Sequence, residues 1–156
     1  MKRHSYKQLS TKTTMKETQM AMINDTRFLI QDRLNAIKTE YGIKEISYRI
    51  AKNDKLWPHI VYDFTDISPT DMGRSDFTLD IHIWGKDQEN CFDIMDAVRD
   101  LLTFWNYPTQ SVLPTFYEMS GGSIEDPDKS IVHLVLRYQV QVFETDATDA
   151  RILRKE

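Results

Sequence analysis

One stretch near the start of the chain repeats apolar residues at three- and four-residue spacing, which predicts an amphipathic helix over residues 25–41. Asn24 or Asp25 can cap its start, because their side chains accept bonds from the free backbone N–H groups there. Gly42 follows the last apolar position and suits the site after the C-cap, where a positive φ is needed. A first helix with defined ends is therefore expected.

A second stretch has the same spacing and predicts a helix that begins after Asp87, another N-cap candidate, and reaches about Trp105. Pro108 follows closely and cannot continue a helix. The apolar stripe of this helix contains Cys91, the only cysteine of the chain. A thiol at such a position is expected to be a small buried hydrophobe rather than a nucleophile.

Five further stretches alternate apolar and polar residues, the pattern of strands with one buried face. They are residues 46–50, 59–67, 77–84, 112–119 and 132–143. The second and third are expected to pair as a hairpin, and Pro114 in the fourth favours an edge strand. The order α-β-β-β-α-β-β predicts an α+β fold: a mainly antiparallel sheet with two helices packed on one face.

The ends of the chain differ from this regular part. Residues 1–19 hold five Lys and Arg against one Glu and have no helical apolar period. We therefore expect a basic, flexible arm over residues 1–21, a single domain over 22–145 and a polar tail over 146–156. The alternative interpretation of the arm is a segment that binds nucleic acid or an acidic partner.

Composition excludes several classes of protein. The 156 residues carry 20 Lys and Arg against 24 Asp and Glu, and the net charge of −4 lacks the basic excess of a general nucleic-acid binder. A single cysteine excludes an intrachain disulfide and a Cys-rich zinc site. No apolar run approaches the roughly 18 residues of a membrane span, and no secretory signal follows the basic start. A soluble, cytoplasmic protein without a membrane partner is expected.

Motifs for catalysis or metal binding are weak. His59, His82 and His133 fall on predicted strands, but their spacing forms no ligand motif, so each is expected to face solvent or to be hydrogen-bonded. The chain has no phosphate-binding glycine loop, no nucleophile elbow and no metalloprotease motif. We therefore expect no catalytic residues, no metal and no cofactor, and hence no enzyme.

Two long charged loops are the more informative feature, at residues 68–76 and 120–130. Loops of this length in a compact domain are usually functional or mobile. The second loop has an acidic tip around Pro127, but it lacks the distal Glu of a calcium-binding loop. A solvated loop that contacts another subunit or protein is the simpler interpretation.

Five segments follow one another along residues 22–144 in an order and spacing that are informative together: MINDTRFLIQDRL, WPHIVYDF, FTLDIHIWGKD, FDIMDAVRDLL and LPTFYEMSGGSIEDPDKSIVHLVLRYQVQVFE. Taken together they resemble the tail terminator, or tail completion, proteins of long-tailed bacteriophages and of prophages in Gram-positive hosts. The resemblance does not include residues 1–19.

This resemblance implies an α+β subunit that assembles as a homohexameric ring. The ring caps a tail tube of full length and offers a surface to the head–tail connector proteins, while DNA passes through its channel without specific binding. It also implies a place in the tail–neck region of the virion, after assembly in the cytoplasm of the bacterial host, and no catalytic residue.

The two loops supply the candidate contacts of such a ring. Candidates for contact with neighbouring subunits or with the major tail tube protein are Asp71, Met72, Arg74, Asp76 and Ile124. Candidates for the channel lining are Glu125, Asp126 and Asp128, since an acidic lining repels DNA and prevents it from sticking. The alternatives are a head-completion or head–tail adaptor protein of the neck, and a small DNA-binding α+β module that uses the basic arm.

Overall fold

A computed structural model describes residues 4–53, 55–68, 74–103 and 112–144. The elements along the chain are α1 (His4–Ala36), β1 (Glu45–Tyr48), β2 (His59–Ile67), β3 (Arg74–Gly85), α2 (Gln88–Thr103), β4 (Val112–Ile124) and β5 (Val132–Glu144). The strands form one sheet in the order β1-β2-β3-β5-β4. Only β1 and β2 run parallel among these neighbours, so the mainly antiparallel α+β fold is confirmed.

Helix α1 begins at His4, well before the expected start at residue 25. The prediction of an arm without regular structure is wrong for residues 4–19, whose backbone is helical. No Gly or Pro interrupts the first 36 residues, and Lys, Gln, Met and Glu favour a helix even without a buried stripe. The helix also ends earlier than expected, at Ala36, and a turn leads to Gly42, whose φ is +64° as its position predicted.

Both helices cover the same face of the sheet, and the core lies between them and the strands. Helix α1 buries Ile30 and Leu34, and α2 buries Ile94, Val98 and Leu102. On the sheet side the fully buried residues include Tyr62, Leu79, Ile81, Ile83, Leu134, Leu136 and Tyr138. The Tyr62 hydroxyl donates to Gln31 Oε1 at 2.8 Å, so a buried polar group is satisfied across the layers.

Local predictions about the second half of the fold are confirmed. Asp87 caps α2, because its Oδ1 accepts from the backbone N–H of Glu89 at 3.0 Å and of Asn90 at 3.3 Å. Cys91 is buried, and burial raises the pKa of its thiol to about 11. Pro114 lies on β4, the edge strand beside β5, where a missing N–H is tolerated.

Within residues 4–53, 55–68, 74–103 and 112–144, no helix is both long and apolar enough to cross a membrane. The expected second helix agrees with α2 as far as Thr103, and the rest of its expected length lies outside the described residues. The expected polar tail over residues 146–156 lies outside them as well. The domain bounds at 22 and 145 remain a prediction.

Candidate functional site

The sheet face opposite the helices carries a row of aromatic and imidazole rings at one end. His59, Trp84 and His133 are direct cross-strand neighbours on β2, β3 and β5. The Trp84 and His133 rings stack with their centroids 3.5 Å apart, and Trp57 packs on His59 at 5.0 Å. The rings shield one another from solvent, so His59 and His133 are buried without a covering helix.

An open groove of about 590 Å³ runs along this row of rings. Its lining includes Ile50, Ala51, Trp57, His59, Trp84 and His133. Ile50 stands at the groove with 78% of its surface exposed, although the alternating pattern had placed it on the buried face of a strand over residues 46–50. Strand β1 ends at Tyr48 instead, because Arg49 takes a φ of +69° and turns the chain out of the sheet.

His82 and His133 form a hydrogen-bonded pair at the end of this row. His82 Nδ1 lies 2.8 Å from His133 Nε2, so the two rings share one hydrogen. Burial, followed by the neighbouring His82, lowers the pKa of His133 to about 4, and burial also lowers the pKa of His82. Both imidazoles are therefore neutral at pH 7, and protonation of both would break the bond between them.

The middle of the open face holds an ion pair between adjacent strands. Arg137 donates from Nε and from one Nη to the two Asp80 carboxylate oxygens, at 2.7 and 2.9 Å. Asp80 is buried, whereas Arg137 is half exposed. The hydrogen bonds from Arg137 to Asp80 raise the pKa of the guanidinium. This fork satisfies the carboxylate and fixes the register of β3 against β5.

The acidic tip consists of Glu125, Asp126 and Asp128, and it is stabilised by its own turn hydrogen bonds. Asp126 Oδ1 accepts from the Asp128 N–H at 2.9 Å, and Asp128 accepts from the N–H and the hydroxyl of Ser130. These bonds from Ser130 lower the pKa of Asp128. Glu125 forms an ion pair with Lys129, so one of the three carboxylates is locally balanced.

The contact candidates do not lie together as the sequence suggested. Arg74 and Asp76 belong to the first residues of β3 rather than to a loop, and their side chains pair at 3.0 Å. Ile124 is the last residue of β4 rather than part of a loop, and it pairs with His133. Since β3 spans twelve residues, Arg74 and Ile124 lie at opposite ends of the sheet, roughly 35 Å apart. Asp71 and Met72 lie outside the described residues.

Strand β4 continues to Ile124, five residues beyond its expected end at residue 119, which shortens the second loop. Residues 120–124 pair with residues 133–137 of β5, after a bulge near Met119. In the remaining loop the side chains of Glu125, Asp128 and Lys129 are exposed and that of Asp126 is half-buried. The acidic tip therefore adjoins the end of the sheet that carries the row of rings, since Ile124 and His133 are paired there.

Sequence reasoning missed the row of rings and the His82–His133 pair. Each histidine was expected to face solvent or to be hydrogen-bonded, but the spacing within a strand could not identify its partners, which come from neighbouring strands. A register that aligned the Trp84 strand with the His133 strand would have placed these rings together. Among the residues that the structure describes, no three His, Cys, Asp or Glu side chains are placed to hold a metal ion.

Comparison with known proteins agrees with this architecture. The family model described as "Tail completion protein gp17" matches residues 31–142, which include the end of α1 and all other elements up to most of β5. A search among curated proteins finds no match to this sequence.

Two solved structures have the same fold. A chain in the virion of a native gene transfer agent particle aligns with a TM-score of 0.60 and 10% identity, covering 74% of this chain and 92% of that one. The gp17 protein of bacteriophage SPP1 aligns with a TM-score of 0.51 and 18% identity, covering 85% of this chain and 94% of that one. At these identities the two structures establish a shared fold.

Proposed function

Because the chain belongs to the tail completion protein gp17 family, a family of phage structural proteins, we propose that it caps the completed tail tube as a homohexameric ring and forms the interface for head–tail joining. The observation that carries the proposal is the family match over residues 31–142, which covers nearly all of the sheet, all of α2 and the end of α1. The shared fold with a protein of a phage and a protein of a virion supports it.

The proposal assigns the chain a place in the tail–neck region of the virion, after assembly in the cytoplasm of the bacterial host. Its partners are further copies of itself, the major tail tube protein on one side and the head–tail connector proteins on the other. Its role is structural rather than catalytic and needs no cofactor. A protein of net charge −4 suits a channel that DNA crosses without specific binding.

The acidic tip remains the candidate for the channel lining. Glu125 and Asp128 are exposed, and the turn hydrogen bonds at Asp126 and Asp128 hold the tip in one conformation. In a six-fold ring each of these carboxylates occurs six times at the same radius, so a modest local charge becomes a continuous acidic band. Ile124 and the ion pair of Arg74 with Asp76 stay contact candidates at opposite ends of the sheet.

The test is a tube-capping assay. The tail tube protein of the same virus is allowed to polymerise with and without this chain, and tube lengths are measured by negative-stain microscopy. We expect the chain to stop elongation and to add a six-fold ring at one end of each tube. Tubes that elongate equally in its presence, together with binding to isolated head connectors, would favour the head–tail adaptor alternative instead.

The DNA-binding alternative has its own signature. A module that binds through residues 1–19 would bind duplex DNA with an affinity that falls steeply with salt, and deletion of those residues would abolish binding. The ring proposal predicts no such affinity for the chain with or without residues 1–19.

A further inference from the structure

Strand β4 is an open edge of unusual length and composition. It has 13 residues, and the described part of the chain places no strand on its outer side. Its one charged residue, Glu118, is held by Arg99 of α2 at 3.0 Å. Natural edge strands are usually short, charged or interrupted, because a long uncharged edge is a template for another strand. Here only Pro114 and the bulge near Met119 interrupt the edge.

The opposite edge of the sheet is also open over part of its length. Strand β1 pairs with residues 59–62 of β2 only, because the chain turns away at Arg49. The second half of β2, residues 63–67, has β3 on one side, and the described residues supply no strand on the other. One sheet therefore ends in two different open edges.

Exposed apolar side chains occur at both of these edges. Of the ten large hydrophobic residues that are exposed among the described ones, three lie on β4: Tyr117, Met119 and Ile124. One more, Ile67, lies at the end of β2 on the other open edge, whereas Ile50 and Leu56 lie in the β1–β2 connection, where Ile50 lines the groove along the row of rings. Apolar side chains grouped at two separate edges indicate contact surfaces that are buried in an assembly.

The strand directions make the two edges compatible. Strand β2 runs opposite to β3, β3 opposite to β5, and β5 opposite to β4, so β2 and β4 run in opposite directions. A rotation about an axis along the strands keeps these directions and places β4 of one copy antiparallel to β2 of the next. Contact between two different edges is head-to-tail, the kind of contact that a closed ring requires.

We propose that β4 of one copy pairs with residues 63–67 of β2 in the next copy, so that the sheet continues from subunit to subunit. This inference rests on the proposed ring, whose contact surfaces it names. A dimer formed by two β4 strands would leave the β2 edge open, whereas the head-to-tail contact fills both edges at once.

Engineered disulfides test the contact directly. Cys91 is buried, so an introduced thiol is the accessible one. Asp66 and three β4 residues, Thr115, Tyr117 and Ser120, point to the open face of the sheet, as their register partners do. Asp66→Cys is combined in turn with Thr115→Cys, Tyr117→Cys or Ser120→Cys in the full chain, which samples the possible registers.

Mild oxidation of one of these double variants should give a ladder of covalent multimers up to six. A mixture of the two matching single variants should stop at dimers, because each subunit then carries only one introduced thiol and can form only one disulfide. Asp66→Cys with Asp100→Cys is the matched control, since Asp100 is exposed on α2 and lines the groove between the two helices, away from both edges, and this pair should give no ladder. The reactions are run on the free protein and on protein bound to tail tubes.

Other outcomes distinguish an error in the proposed contact from an error in the proposed function. Dimers from a single β4 variant alone would mean that β4 pairs with itself, and cross-links to the tube protein would mean that the tube occupies this edge; both overturn the inference. Rings seen by microscopy without any ladder would overturn it and leave the proposed function intact. Absence of rings and of ladders, both free and on tubes, would count against both.

Discussion

On the helix-covered face, strand β5 presents Leu136, which is fully buried beneath the helices, while on the opposite face the same strand presents Arg137, which is half exposed and paired with Asp80. The covered face is stabilised by apolar burial, which depends little on the exact partner. The open face is stabilised by ring stacking and by polar pairs with defined geometry. One sheet therefore combines a face that supports folding with a face and two edges that are available for assembly.

The largest expected contrast is between neighbouring residues of β5. Leu136→Ala removes a fully buried side chain and should lower the free energy of unfolding by about 3 kcal/mol, since the cavity adds to the lost burial. Val135→Ala, on the open face, should lower it by roughly 1 kcal/mol or less. Urea unfolding of both variants measures the contrast, and equal losses would mean that the open face is as tightly packed as the core.

A smaller contrast is expected at two adjacent glycines of β4. A Cβ at Gly121 would lie 2.7 Å from an Arg99 nitrogen and 2.9 Å from Leu136 Cδ2, whereas a Cβ at Gly122 would meet nothing within 4 Å. Gly121→Ala should therefore destabilise the fold by about 1 kcal/mol, because only the ends of side chains have to move. Gly122→Ala should be neutral, and thermal unfolding of the two variants measures the difference. If Gly122→Ala were instead the more destabilising of the two variants, β4 would lie with its other face towards the helices.

Periodicity alone was enough to predict the covered face. The spacing of Ile30 and Leu34, and the alternation of Leu134, Leu136 and Tyr138, identified buried positions correctly, because burial under a helix repeats with the period of the element. The ends of the strands were harder to predict. Residues 74–76 and 120–124 are mostly polar or Gly, and pairing with β5 rather than their own pattern holds them in the sheet.

The open face and the edges could not be predicted in this way. The contacts of His59, Trp84 and His133 depend on cross-strand register, which relates residues distant in sequence. The distance between Arg74 and Ile124 also depends on this register. The sequence had placed both residues in loops and treated them as equivalent contact candidates. The family, in contrast, was recognised from the order of its segments, and the match over residues 31–142 confirms it.

A pH dependence should distinguish the two faces further. Because burial holds the pKa of His133 near 4, below its ordinary value, the unfolded chain takes up a proton first as the pH falls. Stability is therefore complete above about pH 7 and declines between roughly pH 6.5 and 4. We expect the Tm to fall by a few degrees between pH 7 and pH 5, a range above the ordinary pKa values of the carboxylates.

The variant His133→Gln should flatten this profile, since it removes the titrating group and its bond to His82. The charged and titratable neighbours that remain around the pair are Asp63, Asp80, Asp126, Arg137 and His59. Glu40→Gln, on the exposed turn after α1, is the control and should keep the wild-type profile. An unchanged slope in His133→Gln would assign the pH dependence to other groups.

The smallest effect on stability, and the most specific effect on function, is expected at the acidic tip. Replacing Glu125, Asp126 and Asp128 by Lys changes exposed or half-exposed side chains and removes only turn hydrogen bonds and the exposed ion pair with Lys129, so the fold and the ring should persist. If these carboxylates line the channel, six copies of a basic tip would attract the DNA phosphates and slow ejection. The rate of DNA ejection from purified particles is measured by the release of a DNA-binding dye.

The matched control replaces Asp32, Glu40 and Asp93, three exposed carboxylates on the helix side, by Lys and makes the same change in net charge. Slower ejection in the tip variant alone places the tip at the channel, whereas equal rates in the two variants would mean that the tip faces another protein or solvent and that the repulsive lining must come from other residues.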